Sequence, residues 1–320
     1  ALGFFILIMI GSMLLMLPIA SKNGSSTPFI DAFFTSTSAV CITGLTTVNT
    51  AAHWNYFGTT VIITLIQIGG LGFMSFATLF ALILGKRITL KERLIMQEAM
   101  NSFSLQGLVK LAKYILIFTF SVEGIGALFL STKFIPKYGL LKGIYFSLFH
   151  SISAFCNAGF DLTGDSLVPY YNNTVIILTI SFLIIISGLG FSVWAEIYNY
   201  KGVGNFSTHS KVAIAMTLFL VIAGWALMYL FEMRNPQTIQ YMSLKGKLLS
   251  SFFASVSPRT AGFYSVNLPN MTLAGKVLTI ILMFIGGCPG GTAGGVKTTT
   301  IGILMMTIVC VIKNREDTEI

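Results

Sequence analysis

The stretch Phe149-His-Ser-Ile-Ser-Ala-Phe-Cys-Asn-Ala-Gly-Phe160 decides the fold. It lies between two long apolar segments and is itself half polar. Such a sequence predicts a helix that reaches only part way into a membrane. At Asn157-Ala158-Gly159 the helix would give way to extended backbone whose carbonyls face a pore. The pattern occurs twice more, as Phe34-Thr-Ser-Thr-Ser-Ala-Val-Cys-Ile-Thr-Gly44-Leu45 and as Phe252-Phe-Ala-Ser-Val-Ser-Pro-Arg-Thr-Ala-Gly262-Phe263. In each copy a Phe stands ten residues before a Gly, and Leu or Phe follows that Gly.

The rest of the chain supplies the apolar frame. It is 54% hydrophobic and 10% charged, against about 25% charged in soluble domains. Leu2–Ala20, Tyr56–Leu84, Thr174–Ala195 and Val212–Phe231 contain no Asp, Glu, Lys or Arg, and each approaches or exceeds the ~20 helical residues that cross a hydrocarbon core. This predicts an all-α polytopic membrane protein in which membrane helix, pore helix and membrane helix recur around a central pore. The formal net charge of +9 sits in short loops between spans, so lipid headgroups, and not nucleic acid, explain it. Cys41, Cys156, Cys288 and Cys310 lack metal-ligand spacing and read as small buried residues. No cleavable signal peptide is evident, and the start at Ala1 without Met suggests a missing N-terminus.

Three units of like design follow. Residues 1–85 hold a span at Leu2–Ala20, a turn-rich Ser21–Thr27, a short helix from Pro28 to Ala39 and a second span at Tyr56–Leu84. Proline suits the first turn of a helix, and about 18 Å of helix is too short to cross. A basic linker, 86–113, precedes residues 114–200, with spans at Tyr114–Leu130 and Thr174–Ala195. Residues 201–320 hold a span at Val212–Phe231, a short helix at Leu248–Val256 and a final apolar segment from Val277. The second spans share Ile68-Gly69-Gly70-Leu71-Gly72-Phe73, Ile186-Ser187-Gly188-Leu189-Gly190-Phe191 and Ile285-Gly286-Gly287-Cys288-Pro289-Gly290, whose Gly70, Gly188 and Gly287 stand 26, 29 and 25 residues beyond Gly44, Gly159 and Gly262. The unit-joining loops are placed in the cytoplasm, although ten Lys and Arg there and in the tail against nine opposite hardly decide orientation.

A cation that crosses a bilayer must exchange its water shell for other oxygens, and backbone carbonyls can supply them. Candidate filter residues are Ile42, Thr43 and Gly44; Asn157, Ala158 and Gly159; and Thr260, Ala261 and Gly262. Glycine reaches the required backbone angles at little steric cost, and each short helix adds partial negative charge at its C-terminal end. Main-chain oxygens alone would hold the ion.

A second feature closes the third unit. From Val277 to Ile312 only Lys297 is charged, over 36 residues. Gly286, Gly287, Pro289, Gly290, Gly291, Gly294 and Gly295 interrupt it, each Gly costing a helix about 1 kcal/mol and Pro about 3 kcal/mol. Two helical pieces joined by a flexible intramembrane loop, 286–300, are expected, and such a loop beneath a filter can gate it. Gly290-Gly-Thr-Ala-Gly-Gly-Val-Lys297 is not a phosphate loop, because Val296 precedes the lysine and no strand leads in. Lys297 then pairs with loop carbonyls or forms an electrostatic barrier. Arg259 either tunes cation access or braces the third segment. Glu123, inside a span, is a functional candidate or hydrogen-bonds to a neighbouring helix. His150 reads as a satisfied buried group. No paired carboxylates, nucleophile–base set or metal cluster points to an enzyme.

At Cys41-Ile-Thr-Gly44-Leu45, Ala154-Phe-Cys-Asn-Ala-Gly159-Phe160, Ser257-Pro-Arg-Thr-Ala-Gly262-Phe263 and Gly286-Gly-Cys-Pro-Gly-Gly-Thr-Ala-Gly-Gly-Val-Lys297 the chain resembles the Ktr/Trk/HKT superfamily of potassium transporters, most closely its KtrB-type membrane subunits. The resemblance implies four repeats around one pore and K⁺ uptake, often by Na⁺ symport. It implies no covalently bound cofactor, with K⁺ or Na⁺ as the transported ion. It also implies a gate at 286–300, a homodimer, a cytosolic nucleotide-binding regulatory ring of the KtrA/TrkA kind, and a multi-pass location in a bacterial plasma membrane. Glycine at 44 is similar to K⁺-type members, since Na⁺-selective relatives carry Ser there. With three repeats present, a fragment lacking the fourth is expected. The alternatives are a Na⁺-preferring member and a non-conducting receptor or scaffold.

Overall fold

A computed structural model describes residues 2–72, 108–198 and 206–313. The C-terminal part of the expected span Tyr56–Leu84, Phe73, most of the linker 86–113 and the tail beyond Lys313 lie outside them. Among the described residues there are helices but no β-strand, only the isolated bridges Ser21–Trp54 and Ile285–Val296.

The first helix, α1 (Leu2–Met16), is shorter than the expected Leu2–Ala20. Pro18 disfavours helical backbone at the residue before it, and Pro18–Ala20 forms a separate 3₁₀ turn. Next come α2 (Phe29–Val40) and α3 (Tyr56–Leu71). Pro28 is the N-cap residue of α2 and not its first helical residue. Asn55 caps α3 by accepting from the Phe57 and Gly58 amides at 2.9 and 3.1 Å. Helix α3 stops at Gly72, whose φ of 76° is left-handed.

Helix α4 (Leu108–Tyr138) starts inside the expected linker and outruns Tyr114–Leu130 at both ends. Lys and Ser do not break helices, so the chain continues until Gly139, at φ 83°. Helix α5 (Leu140–Phe155) follows at once. The expected span Thr174–Ala195 is corrected into α6 (Thr174–Gly188) and α7 (Phe191–Tyr198), bent by 92°. Gly190 sits at the break with φ 89°, and a methyl group there would stand 2.5 Å from Pro289 O. Only glycine allows both that angle and that approach.

Helices α8 (Thr208–Glu232) and α9 (Leu244–Val256) extend beyond their expected limits. The final segment divides into α10 (Leu273–Phe284) and α11 (Thr298–Ile312). Thr298, Thr299 and Thr300 are helical, so the loop between the pieces is shorter than 286–300.

Residues 113–138 of α4 and all of α8 are long and apolar enough to cross a membrane, and α6 with α7 makes a broken candidate. Their outward faces are apolar: Leu128 is 70% exposed, Ile222 59% and Phe182 53%. The interior is apolar but carries many hydroxyls, with Ser36, Ser38, Ser151, Ser153, Ser255 and Ser257 all buried on or just beyond the short helices. Apolar outward faces with inward hydroxyls that find backbone partners suit a solvent of lipid chains. Three serines tie short helices to long ones. Ser36 Oγ donates to Ile8 O at 2.8 Å, Ser151 Oγ to Glu123 O at 2.6 Å and Ser255 Oγ to Val221 O at 2.9 Å.

Candidate functional site

The short helices α2, α5 and α9 end just before the three glycine segments, so each segment follows directly on a helix C-terminal end. In each segment the middle residue returns its amide to the helix. Thr43 N donates to Ser38 O at 2.8 Å, Ala158 N to Ser153 O at 2.8 Å and Ala261 N to Ser257 O at 2.9 Å. The far side is tied as well, since Ser153 Oγ donates to Phe160 O at 2.7 Å and Ser257 Oγ to Phe263 O.

The backbone is not plainly extended, which corrects that expectation. Ile42, Asn157 and Thr260 have φ of 56°, 57° and 75°, and Gly44, Gly159 and Gly262 have 75°, 72° and 79°. The first and third residues of every segment are therefore left-handed. In a regular strand successive carbonyls point to opposite sides; reversing the hand at alternate residues turns them towards one side. For Ile42, a β-branched residue, the left-handed angle is a genuine outlier, costing about 1–2 kcal/mol.

The segments meet. A methyl group on Gly44 would stand 2.6 Å from Ala158 O, and one on Gly159 would stand 2.9 Å from Ala261 O and 3.2 Å from Gly262 Cα. The three predicted glycines are thus brought together, the second lying between the first and the third. Above them lies a cavity of 320 Å³ lined by all three glycines, with Thr46, Asn49, Asp161, Ser166 and Tyr264 around it. Asn49 Nδ2 donates to Gly164 O at 3.2 Å and Leu167 N to Tyr264 O at 2.9 Å, which joins the loops of this rim. Asp161 is the one charged residue of the lining, and its carboxylate accepts from Thr163 N at 2.9 Å and Gly164 N at 2.7 Å. Sequence reasoning missed this acid, since nothing in its neighbourhood separates it from an ordinary turn aspartate. Burial, with Asp161 and Asp165 nearby, raises the Tyr264 phenol above its ordinary pKa.

The glycine-rich loop lies against this ring. Hydrogen bonds hold it in the closed arrangement. Gly286 N donates to Val296 O at 3.0 Å, Gly287 N to Gly294 O at 3.3 Å and Thr298 N to Gly287 O at 3.1 Å, closing the loop on itself. Cys288 N donates to Gly188 O at 2.8 Å, and Phe191 N to Gly290 O at 2.9 Å, so the loop fills the break between α6 and α7. A methyl group on Gly291 would stand 2.6 Å from Ser187 O, and one on Gly295 would meet Gly286 Cα at 2.9 Å. Lys297 Nζ donates to Ala293 O at 2.9 Å, the loop-carbonyl pairing among its two expected roles. Pro289 presents its carbonyl to Gly190, and Gly294 presents its carbonyl to Gly286.

Other candidates resolve more plainly. Glu123 is 4% exposed and accepts from Gln67 Nε2 at both oxygens, at 3.1 and 3.2 Å, a contact between α4 and α3. His150 is buried, with Nδ1 2.7 Å from Phe146 O and Nε2 accepting from Leu162 N at 3.4 Å. Arg259 is 5% exposed, and its Nε has no hydrogen-bond partner among the described residues. Cys41 is exposed, against expectation, because it caps α2 beyond the packed face of that helix; Cys156 and Cys288 are buried and Cys310 partly so. Among the described residues no His, Cys, Asp or Glu cluster could hold a metal ion.

Comparison with known proteins agrees with this architecture. The chain is 50% identical over 319 residues to the Enterococcus hirae potassium/sodium uptake protein NtpJ, covering 100% of this chain and 70% of that protein. It is 42% identical over 320 residues to the Bacillus subtilis Ktr system potassium uptake protein B, covering 72% of it. The crystal structure of the Vibrio parahaemolyticus potassium transporter TrkH superposes with a TM-score of 0.76 at 20% identity, over 100% of this chain and 63% of that one. That likeness concerns the fold. The chain thus spans less than two thirds of the solved structure it matches. The model of the family described as TrkH, cation transport protein, matches residues 4–319, and the chain belongs to that family.

Proposed function

We propose that this chain is a potassium-permeating membrane subunit of a bacterial plasma membrane, in which K⁺ sheds water against the carbonyls of residues 42–44, 157–159 and 260–262. The observation that carries the proposal is the convergence of Gly44, Gly159 and Gly262 with the same alternation of backbone hand in all three segments. Carbonyls turned one way, at the C-terminal ends of three short helices, make a place of negative potential with no net charge to trap an ion. Asp161 in the cavity beside the ring raises the local concentration of cations before they dehydrate.

The chain is read as three units, residues 1–85, 114–200 and 201–320, joined across the linker 86–113. The serine ties at Ser36, Ser151 and Ser255 support that division. The loop of residues 286–297 is assigned as the gate because it is docked at Gly188 and Gly190, directly beside the second segment. The names of the B. subtilis and V. alginolyticus relatives speak of a Ktr system, which supports a partner. A cytosolic nucleotide-binding ring and a second copy of the chain are the partners proposed. The NtpJ name includes sodium as well as potassium, so Na⁺ transport is the second reading.

Flux of K⁺, Rb⁺ and Na⁺ into liposomes containing the intact transporter tests this. Uptake of K⁺ and Rb⁺ above that of Na⁺ is expected. Preference for Na⁺ would favour the second reading, and no flux above empty liposomes would end both.

A further inference from the structure

The glycine-rich loop reaches one of the three segments through a single side chain. Thr292 Oγ1 donates to Phe155 O, the last residue of α5, at 3.1 Å, and accepts from Asn157 Nδ2 at 3.0 Å. Asn157 is the left-handed first residue of the second segment, at φ 57°, and is 2% exposed. Its Nδ2 has a second acceptor, Ser187 Oγ at 3.1 Å, beside the break between α6 and α7. Its Oδ1 has no hydrogen-bond partner among the described residues. The Nδ2 pair is therefore what holds this side chain. The equivalent positions differ: Ile42 has no polar side chain, and Thr260 Oγ1 is buried without a partner among the described residues. Among the described hydrogen bonds, those from the loop to the three segments go to the second.

We propose that Thr292 is a positioning residue for ion discrimination, so that the seated loop sets the shape of the second glycine segment as well as blocking the path beneath it. This rests on the permeation reading above. The backbone at Asn157 lies in a region that a non-glycine residue occupies only when its surroundings hold it there. Losing the Thr292 hydroxyl removes one of the two acceptors of Nδ2 and the donor to Phe155 O. The Asn157 carbonyl is then free to turn, and a ring with one misaligned carbonyl discriminates less between K⁺ and the smaller Na⁺. A loop that only occluded the path would alter how much ion passes and leave the ratio of ions unchanged.

The test uses the intact transporter in liposomes, with Rb⁺ and Na⁺ uptake measured for wild type, T292V, T292S and S187A. Ser187 lies outside the loop, so S187A loosens Asn157 without unseating the gate. The Rb⁺:Na⁺ ratio is expected to fall about five-fold in T292V, the factor that one hydrogen bond of about 1 kcal/mol represents. T292S, which keeps the hydroxyl, should stay near wild type, and S187A should lower the ratio without raising total flux. Unchanged ratios in T292V and S187A would overturn the proposal even if total flux rose, as would a T292S ratio as low as that of T292V. Should T292V fail to reach the membrane, T292A and S187A decide in the same way. Wild-type liposomes without Rb⁺ uptake would instead overturn the permeation reading before any variant is compared.

Discussion

Ser255 donates its hydroxyl to Val221 O at 2.9 Å and stands seven residues before Gly262, whereas Ser36 and Ser151, in the same relation to Ile8 and Glu123, stand eight before Gly44 and Gly159. The third short helix is therefore displaced by one residue relative to its glycine. The aromatic landmark shifts with it. Phe253, and not Phe252, lies two before the serine, as Phe149 does, and both are buried, at 0% and 2% exposure. A tighter closing turn takes up the missing residue: Ala261 N reaches back four residues to Ser257 O, whereas Thr43 N and Ala158 N reach back five, to Ser38 O and Ser153 O. Each serine also faces a glycine three residues along the long helix, Gly11, Gly126 or Gly224, and a leucine of the following helix, Leu65, Leu183 or Leu282.

This triplet is a packing lock. Gly126→Val would place carbon atoms 2.6 Å from Ser151 Oγ and 2.8 Å from the Leu183 side chain. Overpacking of this kind costs about 1–3 kcal/mol, and Ser255→Ala should lose about 1 kcal/mol with its hydrogen bond. Thermal unfolding of the detergent-solubilised protein measures both. A G126V protein as stable as wild type would show that the long and short helices can part freely.

Selectivity should depend on the segment glycines. Gly159→Ser and Gly262→Ser put a side chain at φ 72° and 79°, close to neighbouring backbone. Each should reduce K⁺ preference over Na⁺ in liposome uptake, with Gly159→Ser the more severe because Gly159 lies between the other two segments. Wild-type selectivity in both would remove the filter assignment.

Shortening the glycine-rich loop should raise flux. Deleting Gly290 and Gly291 removes the carbonyl that accepts from Phe191 N and the backbone packed on Ser187 O. Faster K⁺ uptake is expected, and uptake that is unchanged or slower would take away the gating role.

Gln67 and Glu123 should behave as a coupled pair. Gln67→Leu leaves a buried carboxyl group without the amide that contacts both its oxygens, a loss of about 2 kcal/mol. Replacing both residues by Leu should be milder than Gln67→Leu alone, because no buried polar group then loses its partner. A double-mutant cycle followed by thermal unfolding checks this, and strictly additive losses would argue against the pairing.

The sequence by itself determined that the protein is helical and apolar throughout, because hydrophobic composition and the lack of charge act locally along each segment. It also marked the interruption at Gly286–Gly295, where glycine and proline carry their backbone preferences with them, but not the stops at Pro18 and Gly139, which the apolar runs Leu2–Ala20 and Tyr114–Leu130 did not mark. The helix limits near Leu108 and Leu244 were less legible, because lysines and serines continue a helix as readily as they form a loop. Only the tertiary structure decided the 92° break at Gly188–Gly190, the one-residue shift of the third short helix, Asp161 at the rim and the grip of Thr292 on Asn157. Those features depend on partners as far as 137 residues apart in the chain. A hydrogen bond over such a separation leaves no periodicity in the sequence, because its geometry exists only once both helices have packed.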